Sequence, residues 1–523
     1  MNSPTVAKPL VEAMLDPSFY PDHPETVEMI ETHVSWVMLA GTRAFKLRKS
    51  VVYPFLDYGT VERRLEMSNE EVRLGRRLAG NMYLGVRSII LNADGGFTLA
   101  DASAPDAIDY VVEMRRYDAT RTLAALLERC EVTSYDIRQL ARRLGAFYVQ
   151  AEVAPAASFG PRVVAASVDE NFTTMIPFAS HVGEHVLASG HRFAVAFLHR
   201  NRDRFDERAK QGWVRDCHGD LRAEQVIVTG ATIEIPDPVE FDPALRLTDV
   251  AADIAFLVMD LYDAGAEKLA DVLLDECASQ GIDYGGQQLL FFYATYRAWV
   301  RAKVACMRAG GASLAAERDR QLLEACRFAL LGSRLAWQAR GSLMLVVCGR
   351  SAAGKSLLST ELSHRSGFPV LNSDVIRKEL AGLAPSDRGS ASDYSEDASI
   401  RTYRELGVRA AECVRDHGVI VDATFRRRAD RQAFADGLGE AVSTPLFVVC
   451  SAPDSVVMQR ARERELDPSR ISDADLDVVA RQAHESDPLD EIAARVQLLL
   501  RTDRPASASA DYVEAWLDDL LSP

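Results

Sequence analysis

Residues 342–365 read SLMLVVCGRSAAGKSLLSTELSHR. The run LMLVVC is uninterrupted and apolar, which predicts a strand buried on both faces, as in a parallel sheet. Glycine ends it, and SLLSTELSHR then predicts a helix. Between the two lies GRSAAGKS, Gly349 to Ser356, which satisfies G-x-x-x-x-G-K-[ST] at every position and in the strand-then-helix context that motif requires. Gly349 and Gly354 allow the tight backbone turn that aims successive N–H groups at phosphate oxygens. The expected cradle runs through Gly349, Arg350, Ser351, Ala352, Ala353, Gly354, Lys355, Ser356 and Leu357. The helix N-terminus adds a favourable dipole for an anion. Lys355 is placed to reach β- and γ-phosphates, and the Ser356 hydroxyl to ligate Mg²⁺. ATP with Mg²⁺ is the expected ligand.

Working outward, apolar strands are predicted at PVLNSD (369–374), GVIVDAT (418–424) and TPLFVVCS (444–451), with helical patterns between them. That alternation predicts a parallel α/β sheet covered by helices over residues 341–523. Asp374 lies just past the second strand and is suited to orient and deprotonate an acceptor hydroxyl. Arg377, three residues on, is suited to hold an anionic substrate. Asp422 ends a strand at a Walker-B-like position for Mg²⁺. In RARERELDPSR, Arg460 and Arg464 are four apart on one helix face, and Arg470 follows. Such a cluster can neutralise charge as a phosphoryl group moves. GRSAAGKS, NSDVIRKEL, VIVDATF and the Arg-x-x-x-Arg pair together resemble the zeta-toxin, gluconate-kinase and nucleotide-kinase-like group of P-loop kinases. That resemblance implies phosphorylation of small molecules, nucleotide sugars or nucleic-acid ends. No sensor or arginine-finger pattern of a mechanical ATPase is present.

Upstream, residues 1–340 read as one domain. A small mixed lobe spans about 1–117, with strands at THVSWVMLAG, TRAFKLRK, YLGVRSIIL and DYVVEMRRY and a helix over 60–80 capped by Thr60. A mostly helical lobe spans 118–340. One irregular island interrupts it, VRDCHGDLRAEQVIVTGATIEIPDPVEFD (214–242). CHGDLRAEQV resembles the H-G-D-x-x-x-x-N loop of aminoglycoside phosphotransferases and choline-kinase-like enzymes, relatives of the protein kinases. The resemblance implies an α+β protein-kinase-like fold. It makes Asp220 the base for the acceptor hydroxyl, His218 a brace, and Asp237 the Mg²⁺ ligand. Asp249 and Asp253 become the structural pair opening the next helix. Lys46 then binds the α/β-phosphates and pairs with Glu71. Gln225 departs from the pattern: it stands where the family has a metal-binding Asn, with its carbonyl oxygen one methylene farther out. Glu240 and Asp242 are candidate replacement ligands. No Gly-rich loop occurs in 32–41.

The length of 523 residues suits two to four domains, and 48% hydrophobic with 26% charged residues is ordinary folded composition. Sixty Lys plus Arg against 76 Asp plus Glu give −16, which disfavours a general nucleic-acid coat. The eight cysteines contain no C-x-x-C pair, so neither zinc nor a disulfide framework is predicted. The opening MNSPTVAKPLVEAML lacks the basic-then-apolar plan of a signal peptide, and no run reaches the ~20 apolar residues of a membrane helix. A cytoplasmic chain with no membrane partner is expected. HGDL…DPVEF…LTDVAADIAFL and GRSAAGKS…SDVIRKELAGL in one polypeptide resemble the bacterial group of bifunctional aminoglycoside phosphotransferase-like/ATP-binding P-loop proteins. This implies two ATP- and Mg²⁺-dependent kinase-type sites acting on a hydroxylated small molecule. Two alternatives stand beside it. One is a single active P-loop kinase gated by a catalytically weak, ligand-binding N-terminal domain. The other is a nucleic-acid-end kinase.

Overall fold

The structure is a computed structural model. It describes residues 4–53, 56–93, 95–155, 159–384, 387–416, 418–439, 444–466, 476–482 and 486–520. The chain forms two compact units. One comprises Met1–Val164 with Asp203–Gly286, the other Ala165–Arg202 with Gln287–Pro523.

The first unit is α+β. Its sheet has six antiparallel strands in the order Val27–Glu31, Ser35–Ala40, Arg43–Arg48, Ala107–Arg115, Tyr83–Leu91, Phe97–Asp101. Four of these are the expected strands. Val27–Glu31 and Phe97–Asp101 are additional. The edge strand Val27–Glu31 is mostly exposed, so no alternating pattern marks it in the sequence. The helix Val61–Gly75 crosses behind the sheet. The Thr60 hydroxyl caps it as expected, accepting from Arg63 N at 3.2 Å. Because side chains alternate along a strand, Lys46 and Arg48 of Arg43–Arg48 share one face. Phe45 and Leu47 fill the core on the other, with Met38, Ile89 and Val111.

Behind this sheet the same unit is helical. Val250–Asp263 is the apolar pillar, buried along nearly its whole length. Ser134–Gln150 and Glu267–Ser279 pack in the same unit. Two short antiparallel pairs, Val214–Asp216 with Leu247–Asp249 and Ile227–Thr229 with Thr232–Glu234, bracket the island at 217–226.

The second unit is built on a five-stranded, wholly parallel sheet. Its order is Val370–Asn372, Val419–Asp422, Met344–Cys348, Leu446–Ser451, Gln497–Arg501. The P-loop strand is central, as its unbroken apolar run demands. Leu345 and Val347 face one core with Leu358, Leu362 and Val448, while Met344, Val346 and Cys348 face the other with Val421, Tyr403 and Phe447. The fifth strand is absent from the sequence expectations.

Compactness groups the chain differently from the expected division at 340/341. Helix Ala315–Arg340 belongs with the P-loop sheet. Its Trp337 is fully buried in the core of Leu345 and Leu358, and its indole N–H donates to Glu514 at 3.2 Å. Arg340 meets Asp518 at 2.7 Å with both side chains almost completely buried. From helix Glu184–Arg200, Ser189 donates to Glu514 at 2.9 Å. Two carboxylates of the last helix, Ala506–Leu520, therefore require donors contributed by the helical segments. No helix among the described residues is long and apolar enough to cross a membrane.

Candidate functional sites

The loop Gly349–Gly354 leaves the end of its strand and delivers the chain into helix Lys355–Ser366. Gly349 has φ +131°, and a Cβ there would lie 2.4 Å from the Cys450 carbonyl oxygen. No larger residue fits between the two strands. Gly354 has φ +89°, and a Cβ would meet Arg460 Nη1 at 3.1 Å. Ala352, at φ +63°, holds a left-handed conformation without being glycine, the kind of strain stored at functional loops. Lys355 Nζ donates to the Arg350 carbonyl at 3.0 Å, curling over the loop. Arg350 pairs with Asp454. Ala353 is buried and Leu357 exposed.

The structure brings together Ser356 and Asp422, the two residues expected to hold the metal. Ser356 Oγ donates to Asp422 Oδ2 at 2.7 Å, and Asn372 Nδ2 to the same oxygen at 3.1 Å. Burial pushes the Asp422 carboxyl above its ordinary value, with Lys355, Ser356 and Asn372 pulling the other way. A hydroxyl and a carboxylate joined beneath a phosphate cradle are an oxygen donor set suited to Mg²⁺. One buried, unpartnered nitrogen of a half-buried arginine supports the same ligand. Arg460 Nη2 donates to the Thr502 carbonyl at 2.7 Å, while its buried Nη1, against Gly354, has no partner. An unmet N–H there costs free energy that a phosphate oxygen recovers. Arg464, one turn on, is half-buried. Arg470 lies outside the described residues.

Asp374 is the second residue of helix Ser373–Leu380; the cap is Asn372, whose Oδ1 accepts from Asp374 N at 2.8 Å. The Asp374 carboxyl is therefore not used as a cap. Arg377 is buried instead of presented: it donates to Asp393 O at 3.1 Å and Ser399 Oγ at 3.3 Å and lies over the Tyr394 ring. That placement braces its helix.

Sequence reasoning missed several neighbours. Gln482 Oε1 accepts from the Ser351 N–H of the cradle at 2.8 Å. Gln482 and Arg426 line, with Gly349, Arg350, Thr424 and Ser451, a pocket of about 350 Å³ at the C-terminal ends of the strands. Such ends are where open α/β sheets bind ligands.

The first unit brings its expected residues together. Lys46 Nζ donates to Glu71 Oε1 at 3.0 Å and Asp237 Oδ1 at 2.7 Å. Burial pulls the Lys46 ammonium down, but Asp237, Glu71 and Glu240 outweigh it and hold it well above its ordinary value, so it stays charged. Asp237 has φ +64°, and its N–H donates to the Tyr83 hydroxyl at 2.9 Å. The loop before it is pinned by its expected brace. His218 Nε2 donates to Pro236 O at 3.0 Å, and the N–H groups of His218 and Gly219 donate to Asp253 at 3.0 and 2.9 Å. Asp249 caps its helix, accepting from Ala251 N at 2.9 Å, and takes a bidentate pair of bonds from Arg208. Asp220 is about one-third exposed and paired with Arg222 at 3.0 Å.

Glu240 and Asp242 do not replace the missing Asn. Glu240 is buried, accepting from Arg48 at 2.9 Å and the Tyr58 hydroxyl at 2.7 Å. Asp242 caps helix Pro243–Arg246. Arg48, unnoticed in the sequence, is fully buried and also reaches Ser68 at 2.7 Å and the second oxygen of Glu71. One carboxylate thus bridges two cations two residues apart on a strand. Asp237, with Lys46 fixed beside it and half its side chain exposed, fits one divalent cation that ATP phosphates would share.

Residues 344–489 match the AAA domain family AAA_33. Among solved structures, the chain is similar to a gluconokinase from Sinorhizobium meliloti 1021 (21% identity, 35% of this chain and 94% of that chain, TM-score 0.26). It is also similar to a choline/ethanolamine kinase family protein from Mesorhizobium loti (11%, 62% and 98%, 0.34). A GDP complex of an aminoglycoside phosphotransferase is a third (13%, 61% and 96%, 0.35). Among curated proteins, the "Uncharacterized protein Rv2004c" of Mycobacterium tuberculosis and "Uncharacterized protein Mb2027c" of Mycobacterium bovis are each 30% identical over 488 residues, 90% of this chain and 90% of theirs. On that match over 90% of both chains, this chain belongs to the family of these mycobacterial proteins, with an AAA-type P-loop domain as its C-terminal part.

Proposed function

We propose that the chain is an ATP- and Mg²⁺-dependent phosphotransferase with two kinase-type sites, each acting on the hydroxyl of a small molecule such as a sugar, an aminoglycoside-like compound or a nucleotide sugar. The observation that carries it is the P-loop constellation: Ser356 joined to Asp422 at 2.7 Å below a cradle walled by the unpartnered Nη1 of Arg460. In the P-loop site Asp374 accepts the acceptor's proton. Lys355, Arg460 and Arg464 balance charge on the moving phosphoryl group, and Mg²⁺ supplies further charge neutralisation at Ser356 and Asp422. In the first unit Asp220 accepts the proton, Lys46 holds the phosphates, and Asp237 holds the metal. The acceptor oxygen bonds to the γ-phosphorus as the bond to the bridging oxygen breaks, and ADP leaves.

The test is transfer of label from γ-labelled ATP to sugars, aminoglycosides, UDP-sugars and 5′-hydroxyl oligonucleotides. Loss of labelling in Lys355→Ala and in Asp220→Ala supports two sites. Labelling of the oligonucleotide alone overturns the small-molecule reading. A second reading rests on Gln225, whose Nε2 points at Asp237 at 3.4 Å: a first unit that binds nucleotide and gates the P-loop site. Transfer that survives Asp220→Ala intact but is abolished by Lys355→Ala selects it.

A further inference from the structure

Two divalent ions serve the phosphates in the protein-kinase design, the second held by the side-chain oxygen of a catalytic-loop amide. The residues here fit the first ion and not the second. Gln225 turns its N–H₂ toward Asp237, donating to Oδ2 at 3.4 Å. The two candidate replacement ligands are committed elsewhere: Glu240 to Arg48 and Tyr58, Asp242 to a helix cap.

A fixed cation stands in the same loop. Arg222 Nε donates to Asp220 Oδ2 at 3.0 Å and Nη1 to Glu224 Oε2 at 2.6 Å. Its side chain is four-fifths buried. The next residue is clamped: Ala223 N donates to Asp260 Oδ2 at 2.7 Å, two turns beyond Asp253 on the same helix. Asp253 and Asp260 thus hold the loop on both sides of Asp220, and Arg222 cannot drift from the base. A guanidinium presents five donors and keeps its charge at any working pH.

We propose that the first unit is a one-metal site: a single divalent ion binds at Asp237, and Arg222 supplies beside Asp220 the positive charge that a second ion supplies elsewhere. This rests on the phosphotransferase reading of the unit. The acceptor proton passes to Asp220, the acceptor oxygen bonds to the γ-phosphorus, and the bridging oxygen leaves with ADP. Arg222 exchanges no proton and stabilises the charge on the transferred group.

The test uses the full chain carrying Lys355→Ala and Asp422→Ala to silence the P-loop site. Mn²⁺ bound with ATP is counted by electron paramagnetic resonance, and phosphoryl transfer is followed against free Mg²⁺. One Mn²⁺ per chain is expected, and two when Arg222→Gln and Gln225→Asn are added. Arg222→Gln alone is expected to slow transfer about 100-fold, as for loss of one preorganised donor, with Arg222→Lys partly restoring it and Mn²⁺ binding at Asp237 retained. Two Mn²⁺ in the Lys355→Ala/Asp422→Ala chain, or unchanged transfer in Arg222→Gln, overturns the proposal. No transfer in that chain, or transfer indifferent to Asp220→Asn, overturns the phosphotransferase reading instead.

Discussion

Arg48→Met removes the cation that joins a strand, a helix and the loop carrying Glu240 in the first unit. The native group has four partners, Ser68, Met67 O, Glu71 and Glu240, and its side chain is fully buried. Methionine matches the stem but leaves Glu240 with only the Tyr58 hydroxyl, and leaves Glu71 with Lys46 alone. Breaking a buried ion pair from one side costs about 3–5 kcal/mol, because a charge is left desolvated. For a unit of this size each kcal/mol moves the melting point by about 2–4 °C, so a drop of about 6–20 °C is expected. The assay is differential scanning calorimetry of the full chain, with MgADP used to mark the P-loop transition. The double variant Arg48→Met/Glu240→Gln removes the stranded charge and is expected to recover at least half of the loss. A drop below about 2 °C, or a double variant no better than the single, refutes the view that Arg48 neutralises a buried carboxylate pair.

Three further outcomes follow from particular contacts. Gly349→Ala places a Cβ against the Cys450 carbonyl at an unfavourable φ, and strain of about 1–3 kcal/mol is expected to weaken ADP binding at the P-loop roughly 10-fold by titration calorimetry; unchanged affinity counts against the loop geometry. Asp422 is a carboxyl whose folded value is raised by burial, so its contribution to stability is fully present below the unfolded value and is lost as pH rises through the folded one. Asp422→Asn is therefore expected to raise the melting point of the nucleotide-free protein at pH 7 and flatten its pH dependence above pH 4, while abolishing Mg²⁺-dependent protection by ADP; a lower nucleotide-free melting point contradicts this. Trp337→Ala opens a cavity in the core beneath the P-loop strand and is expected to cost about 3–5 kcal/mol, read as a lowered P-loop transition; an effect confined to the other unit would show that Trp337 does not belong to that core.

The P-loop strand and its glycines were legible because several demands coincide on few residues: an unbroken apolar run, a turn only glycine allows at Gly349, and a lysine and serine at fixed offsets. Lys46, Glu71 and Asp237 were legible because each sits at a recognisable place in a strand, a helix and a post-loop position. Arg48 was not. A charged residue two positions from an expected one reads as surface until its partners, here Glu71 and Glu240 far away in sequence, bury it. Gln482 escaped for a similar reason: a carboxamide carries no motif, and only the fold puts it on the Ser351 N–H. Arg377 shows the opposite failure. Its spacing from Asp374 suggested a substrate contact, but Tyr394 and Ser399 take the guanidinium into the interior. The division near residue 341 followed a change in strand character, which says nothing about which helices share a core. Trp337 and Arg340 decide that through Glu514 and Asp518.

That sharing bears on synthesis. The polypeptide enters the second unit at Ala165, leaves it at Asp203, and returns at Gln287. As the chain emerges from the ribosome, helix Glu184–Arg200 is made more than three hundred residues before its acceptor Glu514. Until then Ser189 and Arg192 lack the carboxylates that receive them in the finished fold. The first unit, by contrast, has all of its segments once Gly286 has appeared. The order of translation thus favours completion of the Lys46–Asp237 site first. The P-loop unit waits for the final helix, and no single proteolytic cut between two linear segments yields both units whole.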